Sequence, residues 1–313
     1  MRKIIGVGET VLDIIFENNR PTKAIPGGSV FNTMVSLSRM NVPVEFISEV
    51  GQDRIGSIIL DFMKENGMDT KHVSTFPDGK SALSCAFLNQ NSDAEYLFYR
   101  DYPAQRLESV VPFIEPDDIF IFGSYYALNP ALRPQIFELL TFAQERKAII
   151  YYDPNFRSLH AHEALRLQST LIENLEFADI VRGSNEDFMN LYELKDADAV
   201  YNEKMRFYAG NLIYTKGKDG VSLRTRAVSK DYDVPEIKAV STVGAGDSFN
   251  AGVLFGLLAC DVKKDDLAHL SVSTWDDIMR YAIDFSVEVC KNLQNYVSVD
   301  FAQKYLQAAT HRS

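Results

Sequence analysis

The sequence predicts an α/β fold with a central, mostly parallel sheet flanked by helices, and a small β-sheet set beside it. Three observations carry this expectation. From Asp117 onward, strand-like and helix-like runs alternate, the order that builds a parallel sheet covered on both faces. Glycine turns at Gly27-Gly28 and at Gly244-Ala245-Gly246 each open an apolar helical run. Residues 81–88 and 94–100 are strand-like runs separated by the turn formers Asn89-Gln90-Asn91-Ser92-Asp93, a hairpin with no place in the alternating part.

In chain order, residues 3–7 read as a buried strand, and 8–16 continue with an alternation that sets Asp13 among apolar neighbours. Two readings are open for Asp13. It is a solvent-facing acid on an edge strand, or a carboxylate that grips hydroxyls, since an ionised carboxylate accepts two hydrogen bonds. Residues 26–32 turn the chain into a helix whose apolar face includes Val30, Met34 and Leu37. The next strand starts at Val44, and Asp53 stands where a helix cap belongs, ahead of a helix that ends at Asn66-Gly67. The small sheet is expected from about 10–26 and 81–101. Strands at 119–122, 148–152 and 178–181 then alternate with helices at 131–145 and 161–175. Residues 212–220 form a strand, a glycine turn and the start of a second strand. Helices beyond Leu254 and from Trp275 to Asn292 close one unit spanning 1–313.

With 313 residues, 46% hydrophobic and 24% charged, the chain is long and apolar enough for a sizeable core. A net charge of −11 argues against nucleic acid or an anionic membrane as partner. An anionic substrate then needs a local basic pocket. No apolar run approaches a bilayer-spanning length, and the N-terminus lacks the pattern of a signal peptide. Cys85, Cys260 and Cys290 are widely spaced, which fits buried thiols in a reducing compartment, so the cytoplasm is expected. His160 and His162 have no third ligand nearby in sequence and read as surface residues at a helix start. No metal-ligating set is expected from the protein itself.

The chemistry is expected at residues 240–252. A glycine turn opening a helix points free N–H groups and the positive end of the helix dipole at one spot, where an anion is held. Asp247 stands in the first turn beside that spot. A carboxylate there can take a proton from a hydroxyl while the N–H groups of Gly244, Ala245 and Gly246 stabilise charge on a transferring phosphoryl group. The bland alternative is a cap and a turn. Neither Gly-x-x-x-x-Gly-Lys-Ser/Thr nor Gly-x-Gly-x-x-Gly fits, because Phe249 and Val11 occupy the third glycine positions of the two candidates.

Thr242-Val-Gly244-Ala245-Gly246-Asp247-Ser-Phe249 resembles the second signature of the ribokinase (PfkB) family of sugar kinases, and Gly27-Gly28-x-x-x-Asn32 resembles its first. Their joint occurrence in this order implies a ribokinase-like fold with a lid sheet. The resemblance implies that Asp13, Gly27, Gly28 and Asn32 bind the sugar, and that Arg100 reaches it from the lid. Tyr152-Asp153-Pro154-Asn155-Phe156-Arg157 resembles the family's Asp-Pro-Asn-x-Arg, which brings Arg157 to the substrate. Ser184 and Asp187 stand where relatives carry Asn and Glu near metal and phosphates. Ser184 reads as a cap, and Asp187 as an outer-sphere contributor to the Mg2+ site among the cofactor-binding residues. Thr215, Lys216, Gly217 and Gly220 resemble the loop along the nucleotide phosphates.

The expected activity is ATP-dependent phosphorylation of a sugar hydroxyl, with Mg2+ carried mainly by phosphates and water. Fructose is the first choice of substrate and 2-keto-3-deoxygluconate the second. A sugar-binding regulator without turnover is the rival from another class. A homodimer through the lid sheet is implied by the resemblance. Ser241 replaces the aspartate with which many relatives hold an activating monovalent cation, and the C-terminal Gly-Ala turn is replaced by residues 291–297. Dependence on K+ is therefore expected to be weak or absent, and the residues contacting adenine cannot be carried over.

Overall fold

The computed structural model describes residues 2–88, 94–103, 106–108 and 110–310. The expected turn at 89–93 lies outside the described residues. The chain opens with β1 (Ile4–Val7), β2 (Val11–Glu17), β3 (Arg20–Gly27), α1 (Ser29–Arg39), β4 (Val44–Gly51), α2 (Arg54–Glu65) and β5 (Val73–Phe76). β6 (Lys80–Leu88) and β7 (Ala94–Asp101) follow, then β8 (Ile119–Gly123), α3 (Arg133–Glu145), β9 (Ile149–Asp153), α4 (Gln168–Phe177) and β10 (Ile180–Ser184). Next come α5 (Asn185–Tyr192), α6 (Ala197–Glu203), β11 (Asn211–Thr215), β12 (Val221–Thr225) and β13 (Ser229–Tyr232). The last helices are α7 (Ala245–Ala259), α8 (Val272–Cys290) and α9 (Val299–Thr310).

The larger sheet has the strand order β13-β12-β11-β10-β9-β8-β1-β4-β5. It is parallel from β11 to β5, with β12 and β13 adding an antiparallel edge. Strands β1, β8, β9 and β11 are buried along their whole length, as cover on both faces requires. Ile4, Ile121 and Tyr151 pack into one core with α1, α7 and α8, and Ile5, Phe122 and Tyr152 into the other with α3. The smaller sheet has the order β3-β2-β6-β7. In it β2 pairs parallel with β6, while β3 and β7 are antiparallel to their neighbours.

Close packing fixes α7, the helix that the second glycine turn opens. A Cβ on Gly252 would lie 2.4 Å from Ala282 Cα, and one on Gly256 would lie 2.9 Å from Ile278 Cα. The two glycines thus let α7 cross α8 with near backbone contact.

Two expectations differ from the structure. The helix expected over 161–175 begins only at Gln168, because residues Ser158–Glu163 form a tight 3-10 turn. There the His160 ring stacks on Tyr125 with centroids 4.0 Å apart, and the Tyr125 hydroxyl donates to Glu163 at 3.1 Å. His160 is thus a half-buried stacking residue, not a surface one. The sequence also gave no sign of α9. Cys85, Cys260 and Cys290 are free and partly buried, and no described helix is long and apolar enough to cross a membrane.

Candidate active site

The carboxyl ends of the parallel strands meet the N-termini of α1 and α7, the crevice where open α/β sheets hold ligands. Gly244 caps α7 with φ 78°, and a Cβ there would lie 2.2 Å from the Asn295 carbonyl oxygen. Only glycine fits both that conformation and that approach. The first N–H groups of α7 have no acceptor within the helix. One of the three expected to face an anion is not free: Ala245 N donates to the Thr242 carbonyl at 3.2 Å and closes the turn.

Asp247 follows in the first turn and is held by α1. Its Oδ1 accepts from the Ser29 hydroxyl at 2.9 Å and its Oδ2 from the Asn32 amide at 2.8 Å. Thr33 adds a bond from its hydroxyl to the Asp247 carbonyl at 2.9 Å. Burial raises the Asp247 pKa, while the Asn32 and Ser29 hydrogen bonds and the charges of Arg157 and Arg182 lower it. Asn32 was expected to face a sugar, and the structure gives its Nδ2 to Asp247 instead. Its buried Oδ1 has no hydrogen-bond partner and remains an acceptor for a hydroxyl.

Asp13 lies on β2, opposite Ile25 of β3 and Ser84 of β6. Its Oδ1 accepts from the Ser84 hydroxyl at 2.5 Å. Burial pushes its pKa up to about 6, against lowering by the Ser84 bond and by the charge of Arg157. A Cβ on Gly27 would lie 2.3 Å from Asp13 Oδ2, and one on Gly28 would lie 2.2 Å from the Glu9 carbonyl oxygen. At both glycines the protein itself stands where a side chain would be, and at Gly27 this brings Asp13 to the start of α1. The charge of Arg157 bears on both Asp13 and Asp247 and lowers the pKa of each.

Arg100 does not stand free above the site. Its guanidinium makes a two-pronged contact with Glu9, Nε to Oε1 at 2.7 Å and NH2 to Oε2 at 2.8 Å, and the Tyr102 hydroxyl donates to the same carboxylate. Deeper in, Arg106 pairs with Glu49, both about 95% buried, and Leu107 N donates to Glu49 Oε2 at 2.7 Å. Two arginines near the smaller sheet are thus neutralised by two carboxylates of the main fold.

At the ends of β9, β10 and β11 lies a second polar network. Asp153 Oδ2 accepts from Asn250 Nδ2 at 2.6 Å and from Arg182 NH1 at 3.2 Å, while Arg182 NH2 donates to the Thr215 hydroxyl at 2.7 Å. Thr215 thus belongs to this network. Ser184 and Asp187 form a complete capping box for α5. Asp187 Oδ1 also accepts from Phe156 N at 2.6 Å, and its Oδ2 takes both Ser184 N and the Ser184 hydroxyl. Protein donors thus engage both oxygens of the carboxylate, which ties α5 to the loop carrying Arg157. Lys216 begins the turn that contains Gly217 and Gly220, and its charge acts on Asp231 of β13. Among the described residues no group of three or more His, Cys, Asp or Glu could hold a metal ion.

Sequence reasoning passed over Glu9, Arg182, Asn250 and Asn295. Glu9 adjoins Gly8 in a segment with no motif, Asn250 lies within the 240–252 stretch beyond the glycine turn, Asn295 lies in the divergent 291–297 segment, and Arg182 stands within an apolar strand that ends near the site.

The model of the pfkB family carbohydrate kinases matches residues 1–282. Probable fructokinase-6, chloroplastic, of Arabidopsis thaliana is 29% identical over 238 residues, covering 74% of this chain and 62% of its own length. The chain thus spans under two thirds of that relative. The 5-dehydro-2-deoxygluconokinase of Geobacillus thermodenitrificans is 27% identical over 281 residues, covering 81% of this chain and 80% of its own. Among solved structures, a fructokinase with bound ATP from Xylella fastidiosa superposes with a TM-score of 0.82 at 22% identity, covering 99% of this chain and 100% of that one.

Proposed function

Because the chain belongs to the pfkB family of carbohydrate kinases, we propose that it moves the γ-phosphoryl group of ATP to a hydroxyl of a neutral, fructose-like sugar. The hydroxyl proton passes to Asp247 as the sugar oxygen bonds to the γ-phosphorus. The bond from that phosphorus to the bridging oxygen breaks, and ADP leaves. The N–H groups of Gly244 and Gly246 face the charge on the transferring group. Asp13 and the unpartnered Oδ1 of Asn32 accept the remaining sugar hydroxyls. Thr215, Gly217 and Gly220 line the nucleotide side.

A divalent ion does not fit a cage of protein carboxylates here, since no described cluster offers one and Asp187 is occupied by protein donors. A Mg2+ that arrives with ATP would be held by phosphates and water and would neutralise part of the phosphate charge. The observation that carries the choice of a neutral sugar is the pairing of Arg100 with Glu9 and of Arg106 with Glu49. A substrate carboxylate placed there would compete with a carboxylate already bound in two-pronged geometry. The second reading, a sugar acid, draws support from Arg157, the exposed arginine whose charge reaches both Asp13 and Asp247. A coupled ADP-release assay with fructose, other ketoses and 2-keto-3-deoxygluconate tests the choice. Preference for the acid by kcat/KM overturns the neutral-sugar reading, and no turnover with any sugar overturns the proposed reaction.

A further inference from the structure

Arg182 is a buried cation, 8% exposed, midway along β10. Asp153 and Thr215 each hold one arm of its guanidinium. Its free face lies against the glycine turn: a Cβ on Gly246 would meet Arg182 NH1 at 3.0 Å and NH2 at 3.1 Å. Its carbon stands 5.7 Å from the Phe249 ring centroid, one turn into α7. The Nε has no hydrogen-bond partner among the protein atoms. A charge this deep is expensive to bury, and Asp153 alone does not explain why it is pressed on a helix N-terminus already positive by its dipole.

We propose that Arg182 is a positioning residue for phosphoryl transfer, a buried guanidinium that braces Gly246 and sets fixed positive charge beneath the transferring group. The inference rests on the kinase reading and on Asp247 as its base. The absence of a side chain at Gly246 is what lets the guanidinium stand this close to the turn. Asp153 and Thr215 fix its orientation, so little rearrangement is needed when negative charge develops. The same charge bears on Asp247, which is faced by Ser29 and Asn32 from α1, Arg157 from the loop after β9, Arg182 from β10 and, with opposite sign, Asp153 from β9. Arg182 and Arg157 lower the Asp247 pKa against the effect of burial.

The test uses Arg182→Met, Asp153→Asn and their double variant, on whichever sugar the wild-type protein turns over. In the double variant no charge of this pair is left buried without its partner, so it decides the matter if Arg182→Met alone does not fold. Its kcat is expected to fall by about 10- to 100-fold, with KM for sugar and for ATP both within about threefold of wild type. In folded Arg182→Met the acidic limb of the kcat–pH profile moves to higher pH, and in Asp153→Asn it moves to lower pH. Opposite shifts from opposite charges are not a result of general damage to the fold. Wild-type kcat in the double variant, or an unmoved limb in folded Arg182→Met, overturns the proposal. A wild-type protein without sugar turnover overturns the kinase reading instead, so the two failures are distinct.

Discussion

Replacing Asp247 by Asn removes one proton acceptor and leaves the shape of the site nearly intact. In the wild-type protein its two oxygens accept from Ser29 at 2.9 Å and from Asn32 at 2.8 Å. Asparagine has a single acceptor oxygen, so one of these donors then faces an NH2 group. The lost hydrogen bond costs about 1–3 kcal/mol. Removing a carboxylate whose ionised form burial already disfavours returns part of that. The net change is under about 2 kcal/mol, which moves Tm by only a few degrees in a chain of this size. Turnover changes far more, since loss of general-base action lowers kcat by about 10²–10⁴, equivalent to about 3–5 kcal/mol of barrier. A coupled ADP-release assay at saturating sugar and ATP, with a thermal melt on the same preparation, separates the two effects. A variant with near-native Tm and kcat within tenfold of wild type would refute Asp247 as the base.

Asp13, with its pKa near 6, should grip a sugar hydroxyl only when ionised, so sugar KM is expected to rise about tenfold from pH 7 to pH 5; Asp13→Asn should show a high, flat KM over that range, and a KM that still climbs identically removes Asp13 from the role. The sign for stability is the reverse: a raised carboxyl favours folding most below its unfolded value of 3.8 and loses that contribution as pH rises through about 6. Arg100→Ala frees Glu9 from its two-pronged partner and is expected to raise sugar KM about tenfold or more with little change for ATP, whereas equal effects on both substrates count against Arg100 as a sugar-side residue. Exchanging KCl for a bulky organic cation chloride at constant ionic strength should leave kcat within about twofold, because a neutral hydroxyl attracts a cation far less than a carboxylate does. The Ser241 hydroxyl accepts from Val243 N at 3.2 Å and Val240 N donates to the Cys290 carbonyl at 2.8 Å, so protein contacts hold this loop; a steep, saturable rise with K+ shows the reasoning to be wrong.

What could be read in the sequence was local. The parallel sheet followed from the alternation of apolar runs, and the caps at Asp53 and Ser184 followed from side-chain chemistry within three residues of a helix start. Both glycine turns open helices, α1 and α7, as their patterns implied. What could not be read was which distant groups meet. Asn32 has the right type and spacing for a sugar ligand, yet its amide goes to a residue 215 positions away. Arg100 looks like a free cation until Glu9, 91 positions upstream, occupies its guanidinium. Asp187 is a capping residue by pattern, and the additional bond from Phe156 N to it comes from another loop altogether. Tertiary pairing decides whether a polar side chain is available to a ligand, and sequence spacing carries no record of it.

Tertiary pairing also determines how a chain with a net charge of −11 can take a nucleoside triphosphate. Long-range attraction works against it, so the compensation has to be short-range and fixed. The helix start at Gly244 supplies N–H groups and part of the dipole. Arg182 stands against the turn, its charge balanced by Asp153, and the charge of the exposed Arg157 acts on Asp13 and Asp247. Asp153 orients the first of these without exposing itself to solvent, being 2% exposed. Buried charge is little screened by salt, whereas attraction between exposed charges falls off over about 10 Å at 0.1 M. An anion held mainly by the N–H groups of that helix start should therefore lose little affinity as ionic strength rises, in contrast to one held by surface lysines.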